Sequence, residues 1–149
     1  MKTGNAIWIF NGRKILSHDD LHPDCTDIVY VITYSDNRVY IGKKAVRAIR
    51  RKPPLKGYKR NRLIMTNLPF VNYQGSHAQA KELTPVLKQI IYQCGKRKAA
   101  TYLEMELLVR KRAIFRDNYI NENISGTFFS NSLDGLLENH NDESYFGTG

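Results

Sequence analysis

Two short segments rich in β-branched and aromatic residues constrain the fold of this chain more than any other feature. The first is Asp27–Tyr34 (DIVYVITY) and the second is Arg38–Gly42 (RVYIG). Such residues favour strands. The intervening Ser35-Asp36-Asn37 has the composition of a turn. Two strands joined by a short polar turn predict a β-hairpin.

Two other regions also have the composition of strands. Residues 6–10 and 14–16 flank Asn11-Gly12, a dipeptide typical of two-residue hairpin turns, so a small N-terminal hairpin is expected over residues 6–16. Pro85–Cys94 alternates in hydrophobicity and predicts a third central strand.

Three segments predict helices. Residues 43–51 have apolar residues on one side and basic residues on the other, up to Pro53-Pro54, where a helix must end. Residues 78–83 predict a short helix, and residues 99–116 predict a longer one with a buried apolar stripe. Residues 53–76 show no clear periodicity, and we expect a long irregular loop there that serves the function.

Together these elements predict an α+β fold, with a small central antiparallel sheet of about three strands flanked by helices. The length of 149 residues predicts one domain over residues 1–149, with its core at about residues 27–124. The acidic tail over residues 130–149 lacks periodicity and is expected to be mobile.

The net charge of +9 is unevenly distributed along the chain. From Arg38 to Arg62 there are eleven Lys or Arg residues and no Asp or Glu, whereas after Arg116 there are six acidic residues and no Lys or Arg. A solvated face is the simplest interpretation of a charge run. So many cations in one segment create a strong local field, which favours binding of a polyanion. On charge alone DNA, RNA and anionic lipid remain open.

The cellular setting follows from what the sequence lacks. No stretch approaches the roughly 20 apolar residues that span a bilayer, so no membrane segment is expected. The apolar part of the N-terminus is too short for a secretory signal. Cys25 and Cys94 are expected to be free thiols. We therefore expect a cytoplasmic protein.

A known family pattern is visible at the central hairpin. Ile28-Val29-Tyr30, then nine residues, then Tyr40-Ile41-Gly42-Lys43 resembles the opening motif of the GIY-YIG nucleases, although Ile28 replaces the first glycine. Asn72-Tyr73-Gln74-Gly75-Ser76 resembles a further motif of a phage-encoded branch. The run from Tyr102-Leu103-Glu104 to Tyr119-Ile120-Asn121 resembles the last ones. The resemblance covers roughly residues 27–124.

This resemblance implies a metal-dependent DNA endonuclease that hydrolyses phosphodiester bonds, similar to the free-standing homing endonucleases of phages. It implies double-stranded DNA as the partner, Mg²⁺ or Mn²⁺ as the cofactor, and the host cytoplasm as the location if a phage encodes the chain. We expect no separate DNA-reading domain, so specificity would come from residues 52–76, the N-terminal hairpin or an oligomer such as a homodimer. A restriction-type or host-DNA-degrading nuclease and a non-catalytic nucleic-acid-binding module are the alternatives.

The tyrosine pair is the chemical centre of this hypothesis. Tyr30 and Tyr40 are ten residues apart, so strand alternation can place both on one face. Cross-strand aromatic packing is the alternative role. For one of them to act as general base, its pKa of about 10 would have to fall by roughly 2 to 3 units. Neighbouring Lys or Arg residues and a bound divalent ion could supply that lowering, and Lys43 and Lys44, beside the pair, could lower the pKa or contact phosphate.

The remaining catalytic roles come from the resemblance. Arg50 matches the arginine that neutralises the phosphorane, with Arg47 and Arg51 as substitutes, because a guanidinium donates to two phosphate oxygens. Glu104 matches the metal ligand. Glu106 is the alternative, and an ordinary solvated helix glutamate is the simpler interpretation of either. Asn121 matches an asparagine that orients the site, although a capping or turn role is equally economical.

Most of the other cations are expected to bind the nucleic-acid backbone, which gives affinity without sequence choice. The predicted nucleic-acid-binding residues are Lys44, Arg47, Arg51, Lys52, Lys56, Lys59, Arg60, Arg62, Ser76 and His77. His18 and His22 have the spacing of a metal pair on a helix, but Pro23 disfavours a helix there.

Overall fold

The fold is organised around one long strand that pairs on both of its sides. The computed structural model describes residues 6–121 and the backbone of residues 123–124 and 128–129. The predicted tail over residues 130–149 lies outside the described residues. The strands are β1 (Trp8–Phe10), β2 (Arg13–Ile15), β3 (Asp27–Tyr34), β4 (Val39–Ala45), β5 (Arg47–Lys52), β6 (Arg62–Asn67), β7 (Pro85–Cys94), β8 (Asn123–Ile124) and β9 (Phe128–Phe129). The helix α1 spans Arg97–Arg110, and 3₁₀ turns lie at His18–Asp20 and Ala113–Phe115.

The α+β class is confirmed, but the sheet is larger than expected. Five strands pair in the order β2-β1-β7-β3-β4. β3 pairs antiparallel with both β4 and β7, whereas β1 pairs parallel with β7, so the sheet is mixed. β1 and β2 form an N-terminal hairpin in which Asn11 and Gly12 both have positive φ, of 49° and 78°. That backbone follows the twist of the flanking strands, which is why Asn-Gly is favoured in such turns.

The segment predicted as a helix over residues 43–51 is extended, and that prediction is wrong. β4 continues to Ala45, and after Val46 the chain enters β5, which pairs antiparallel with β6. β6 lies in the region expected to be an irregular loop. The two strands form a separate two-stranded sheet, here called the basic ribbon (Arg47–Lys52 and Arg62–Asn67). The backbone pairing of β5 with β6, some fifteen residues further along the chain, overrides the weak helical pattern. Helix propensity contributes little free energy per residue, so tertiary contacts can outweigh it.

Two smaller predictions also need correction. Residues 78–83 form turns rather than a short helix. The long helix was expected over residues 99–116, but it begins at Arg97 and ends at Arg110. Arg112 has a φ of 49° in the left-handed region, and Ala113–Phe115 continues as a 3₁₀ turn. A left-handed residue cannot continue an α-helix, so the helix ends just before it.

The core has two parts, one on each side of the sheet. On one side, Tyr30, Ile32 and Tyr34 of β3 pack with Trp8 and Phe70. On the other side, Val29 and Ile41 pack with the buried residues of α1, Ala100, Leu107 and Leu108. Alternate residues of β3 therefore serve opposite sides, as strand geometry requires. Consecutive residues of β4, the edge strand, point to different sides of the sheet.

Candidate active site

Four tyrosines gather on the side of the sheet opposite α1. The rings of Tyr30 and Tyr40 lie 6.2 Å apart, on one face, as their ten-residue spacing predicts. Tyr30 is fully buried, and its hydroxyl donates to the Tyr73 hydroxyl at 3.2 Å. Tyr34 is also buried in this cluster. Tyr40 is only partly buried, and its hydroxyl lies 3.2 Å from the Oγ of the exposed Ser76.

The electrostatic surroundings of the pair differ from those expected. Burial raises the pKa of Tyr30 well above its usual value, and the neighbouring Tyr73 adds to the rise. Burial also raises the pKa of Tyr40, although the hydrogen bond with Ser76 opposes that rise. In the protein alone burial therefore outweighs any lowering of these phenol pKa values by adjacent cations, and the lowering expected with a bound divalent ion stays a prediction. The physical reason is that each phenol is desolvated among other phenols. Lys44 instead lies 5.2 Å from the centre of the Tyr73 ring.

Gly42 of β4 lies directly against the rings of both motif tyrosines. A Cβ added at Gly42 would lie 2.5 Å from the Tyr30 hydroxyl oxygen and 2.9 Å from a ring carbon of Tyr40. Gly42 of the Tyr-Ile-Gly motif pairs with Tyr30 on the neighbouring strand β3, and its missing side chain makes room for the Tyr30 ring.

His77 has a tautomer that the hydrogen bonds determine. The Tyr34 hydroxyl donates its single hydrogen to the Gln74 carbonyl at 2.7 Å, and the Nε2 of His77 lies 2.7 Å from the same hydroxyl oxygen. Nε2 must therefore carry the hydrogen and donate it. Nδ1 is buried and has no hydrogen-bond partner among the described residues. Burial, and secondarily the charge of Arg38, lowers the pKa of His77, so the ring is neutral at pH 7.

The acidic part of the site lies on α1. Burial raises the pKa of the Glu104 carboxyl, and the nearby Lys43 opposes that rise. Lys43 is fixed by donating to the Thr101 hydroxyl, one turn before Glu104. Burial is the main reason that the pKa of Tyr40 is raised, and the charge of Glu104 adds to that rise as a lesser cause. Glu106, two residues further along α1, points about 200° away.

Asn121 binds the backbone of β4. Its Oδ1 accepts from the Ile41 N–H at 3.0 Å, and its Nδ2 donates to the Ile41 carbonyl at 2.8 Å. Nearby, Val39 exchanges backbone hydrogen bonds with Asn118 and Ile120. The amide therefore replaces a missing neighbouring strand, and it positions the residues on either side of Ile41, including Tyr40. The role of Asn121 in orienting the catalytic site stays a prediction.

The three candidate arginines all lie in the basic ribbon. The Arg47 guanidinium donates to backbone carbonyls at His18 (2.7 Å), His22 (2.7 Å), Cys25 (3.1 Å) and Pro23 (3.2 Å). Arg47 is thereby committed to holding the structure. Arg50 and Arg51 are exposed on β5, and among the described residues no hydrogen bond or ion pair joins either to the tyrosines or to Glu104. The helix that was to position Arg50 is absent from this segment.

Lys88 is a site-supporting residue that sequence analysis missed. It is fully buried in β7, and its Nζ donates to the carbonyls of Val71 and Tyr73, each at 2.9 Å. Burial lowers the pKa of Lys88 to about 8. The lysine fastens the segment that carries Tyr73 against the sheet. In the alternating pattern of residues 85–94, Lys88 falls on the same face as the apolar Ile90, and a lysine at such a position was the signal that could have revealed its burial.

Comparison with known proteins identifies the family. The family model described as "Putative endonuclease segE, GIY-YIG domain" matches residues 8–124, which is most of the chain.

The chain belongs to the GIY-YIG family.

The match begins at Trp8, so the β1–β2 hairpin is part of the GIY-YIG domain. Membership implies nuclease activity in general terms. No match is found among curated proteins or among solved structures.

Two further observations bear on metals and membranes. Within residues 6–121, no three His, Cys, Asp or Glu side chains are grouped as a metal site. A single half-buried carboxylate such as Glu104 nevertheless suits Mg²⁺, which keeps several water ligands and needs only one or two carboxylates. No helix in the described part of the chain is long and apolar enough to cross a membrane.

Proposed function

We propose that this GIY-YIG protein is a metal-dependent endonuclease that cleaves double-stranded DNA, with its site at the edge strand β4. The observation that carries the proposal is the shared environment of Tyr40 and Glu104. The Tyr40 hydroxyl of β4 is paired with the exposed Ser76, and the Lys43–Thr101 hydrogen bond joins β4 to α1 one turn before Glu104. The charge of Glu104 is also among the lesser causes that raise the pKa of Tyr40. An acceptor for a proton and a ligand for a hard cation thus lie beside one accessible edge.

Tyr40, rather than Tyr30, is the proposed general base. Tyr30 is fully buried and its hydroxyl is engaged with Tyr73, so neither water nor DNA can reach it. The Tyr40 hydroxyl contacts Ser76, which is exposed, and the Ser76 hydrogen bond favours the phenolate. Tyr40 would orient the attacking water and take its proton. Tyr30 acts as the packed support beneath Tyr40 and Gly42.

Lys43 is the proposed phosphate-binding cation at the point of cleavage. Its ammonium group donates to the Thr101 hydroxyl and lies near Glu104, whereas Arg50 lies on the exposed strand β5 of the basic ribbon, with no bond to Glu104 or the tyrosines among the described residues. A compact ammonium neutralises charge on a phosphate oxygen as a point charge, without the two-pronged geometry of arginine. Arg50 would then contact the DNA backbone away from the bond that is cut.

Glu104 is the residue that would hold Mg²⁺ or Mn²⁺. Its carboxylate is partly desolvated and has no ion-pair partner among the described residues, so a bound cation would relieve an unfavourable burial. When bound, the ion supplies Lewis-acid stabilisation of the charge that develops on the phosphate and the leaving oxygen. Asn121 keeps β4, and therefore Tyr40, in place for this chemistry.

Nicking of supercoiled plasmid tests the proposal directly. Wild-type protein should nick with Mg²⁺ and not with EDTA. Tyr40→Phe and Glu104→Gln should each lower the rate of nicking by at least about 100-fold, which is the lower end of what a positioned general base contributes. Glu106→Gln serves as the matched variant on the same helix and should retain the wild-type rate. Because burial raises the pKa of Tyr40, the wild-type rate should climb with a log slope of about one between roughly pH 7 and 9.

Three results would contradict parts of this proposal. Plasmid binding without nicking at any divalent ion would favour the non-catalytic binding module. Loss of nicking in Glu106→Gln but not in Glu104→Gln would move the metal ligand. Full activity of Tyr40→Phe would remove the proposed base. Sequencing of the cut ends from a phage and a bacterial genome would then separate homing from restriction or host-DNA degradation, because we expect a homing enzyme to cut at few sites. Cutting in host DNA would be consistent with action in the host cytoplasm.

A further inference from the structure

The basic ribbon stands apart from the five-stranded sheet. β5 and β6 pair only with each other within the part of the chain that the structure describes. From Arg50 to Leu63 every residue is exposed, including the loop that joins the two strands. Six residues of strand extend about 20 Å. The ribbon is therefore a two-stranded arm rather than a part of the core.

The base of the arm is firmly held. Val46, just before β5, is fully buried, and the Nε2 of His18 lies 3.0 Å from the Val46 carbonyl and 2.8 Å from the Leu68 carbonyl. One imidazole thus ties together the points where both strands leave the body. The four backbone hydrogen bonds of the Arg47 guanidinium add to this anchor. An arm with a fixed base and an exposed end can be presented to a partner in one orientation.

The arm has a face that combines exposed apolar side chains with cations. The register pairs Ile49 with Met65 and Arg51 with Leu63, so these four side chains lie on one face. Ile49 is 54% exposed and Leu63 is 71% exposed, although both are large hydrophobics. From residue 47 to 67 there are eight Lys or Arg residues and no Asp or Glu. Charge of a single sign around an apolar strip indicates a polyanionic partner that also offers apolar contacts.

A cleft connects this face with the candidate active site. It has a volume of about 710 Å³, and it lies between the base of the arm, β4 and the start of α1. Five cationic residues line it, together with two apolar side chains of the arm and one buried carboxylate, namely Lys43, Lys44, Arg47, Lys96, Arg97, Ala48, Ile49 and Asp27. Lys43, the cation beside Glu104, is therefore shared by the cleft and the site. A polyanion backbone lying in the cleft would pass from the point of cleavage to the arm.

We propose that the ribbon enters the major groove of double-stranded DNA with the face formed by Ile49, Arg51, Leu63 and Met65 toward the base edges, while one strand's backbone lies in the cleft. This inference rests on the proposed function and assigns the surface by which the nuclease holds its substrate. The major groove, about 12 Å wide, admits a two-stranded β-ribbon. Its base edges offer acceptors to Arg51 and thymine methyl groups to the apolar side chains.

Binding in EDTA tests the inference without any requirement for cleavage. Fluorescence anisotropy with a 40-base-pair duplex of mixed sequence would measure Kd over a series of salt concentrations. The variant Arg51→Gln/Leu63→Ser removes a base-edge donor and an apolar contact, so it should raise Kd by about 10-fold or more. Its log–log salt slope should fall by less than one, because Arg51 is assigned to base edges rather than to a phosphate. Lys14→Gln removes a cation from exposed β2, at the opposite edge of the sheet, and should change Kd less than about twofold. Methyl green, which occupies the major groove, should compete, whereas netropsin, which occupies the minor groove, should not.

The outcomes separate this inference from the proposed function. Equal Kd values for the ribbon variant and Lys14→Gln would overturn the ribbon assignment, as would competition by netropsin but not by methyl green. Both altered ribbon positions are exposed, so circular dichroism melting should show that the variants keep the wild-type fold. Binding with the expected variant pattern but without nicking in Mg²⁺ would contradict the nuclease proposal while supporting the ribbon.

Discussion

Substitution of Gly42 by alanine gives a sharp test of how the motif glycine and the motif tyrosines depend on each other. The added Cβ would lie 2.5 Å from the Tyr30 hydroxyl oxygen, 2.7 Å from the ring carbon that bears it and 2.9 Å from a Tyr40 ring carbon. Real Cβ contacts are not this short, so one of the rings must move. Gly42 does not have a positive φ. The cost is therefore steric and not a matter of backbone conformation.

The magnitude follows from how little Tyr30 can move. The residue is fully buried between Trp8, Tyr73 and Tyr40, and its hydroxyl donates to Tyr73. Overpacking of a core typically costs about 1–3 kcal/mol. Loss of the hydroxyl hydrogen bond would add about 1 kcal/mol. We therefore expect Gly42→Ala to lower the free energy of unfolding by about 2–4 kcal/mol, which corresponds to a Tm decrease of roughly 4–16 °C for a chain of this size.

A double-mutant cycle identifies the contact that is responsible. Tyr30→Phe removes the closest atom, the hydroxyl oxygen, so Gly42→Ala should cost less in that background by about 1 kcal/mol. Urea denaturation of the four proteins measures the coupling. Nicking should fall in parallel with the displacement of Tyr40. If Gly42→Ala unfolds at the wild-type urea midpoint, or if the two substitutions are additive, the proposed packing of Tyr30 against Gly42 is wrong.

Three further predictions concern the buried ionisable groups. Burial raises the pKa of Glu104, so ionising this carboxyl at pH 7 destabilises the folded state, and Glu104→Gln should raise the metal-free Tm. Mg²⁺ should raise the Tm of the wild-type protein only. Scanning calorimetry with and without Mg²⁺ measures both effects, and a Tm shift with Mg²⁺ in the variant would exclude Glu104 as the ligand. The lowered pKa of His77 means that the unfolded chain takes up the proton first, so stability is lost as the pH falls below about 6.5. His77→Gln should lessen this loss in urea titrations at pH 5 and 7, and an unchanged difference would contradict the neutral, tautomer-fixed ring. Lys88 has a pKa of about 8 in the folded protein, so the wild-type protein should gain stability relative to Lys88→Met as the pH rises from about 8 toward 10. If the free energies of unfolding of the two proteins change in parallel with pH, the lowered pKa of Lys88 is refuted.

The sequence by itself determined the parts of the protein that depend on neighbours along the chain. The Asn11-Gly12 turn, the Asp27–Tyr34 strand, the Pro85–Cys94 strand and most of the long helix follow from local backbone preference and side-chain period, and all are found in the structure. The common face of Tyr30 and Tyr40 follows from the same period of two. The family motif adds the glycine, the glutamate and the asparagine, although it cannot say what each one contacts.

Only the tertiary structure decided the features in which distant segments meet. Residues 47–52 became a strand because residues 62–67 pair with them, and no local pattern encodes that partner. The burial that raises the pKa of Tyr30 comes from residues far away along the chain, such as Trp8 and Tyr73, and the ring of His77 packs against Tyr40. The basic sequence around the two tyrosines does not reveal that burial. Asn121 reaches the Ile41 backbone across eighty positions, and Arg47 binds carbonyls more than twenty positions before it. Burial and hydrogen bonding depend on which atoms exclude water from a group. That arrangement exists only once the sheet has formed.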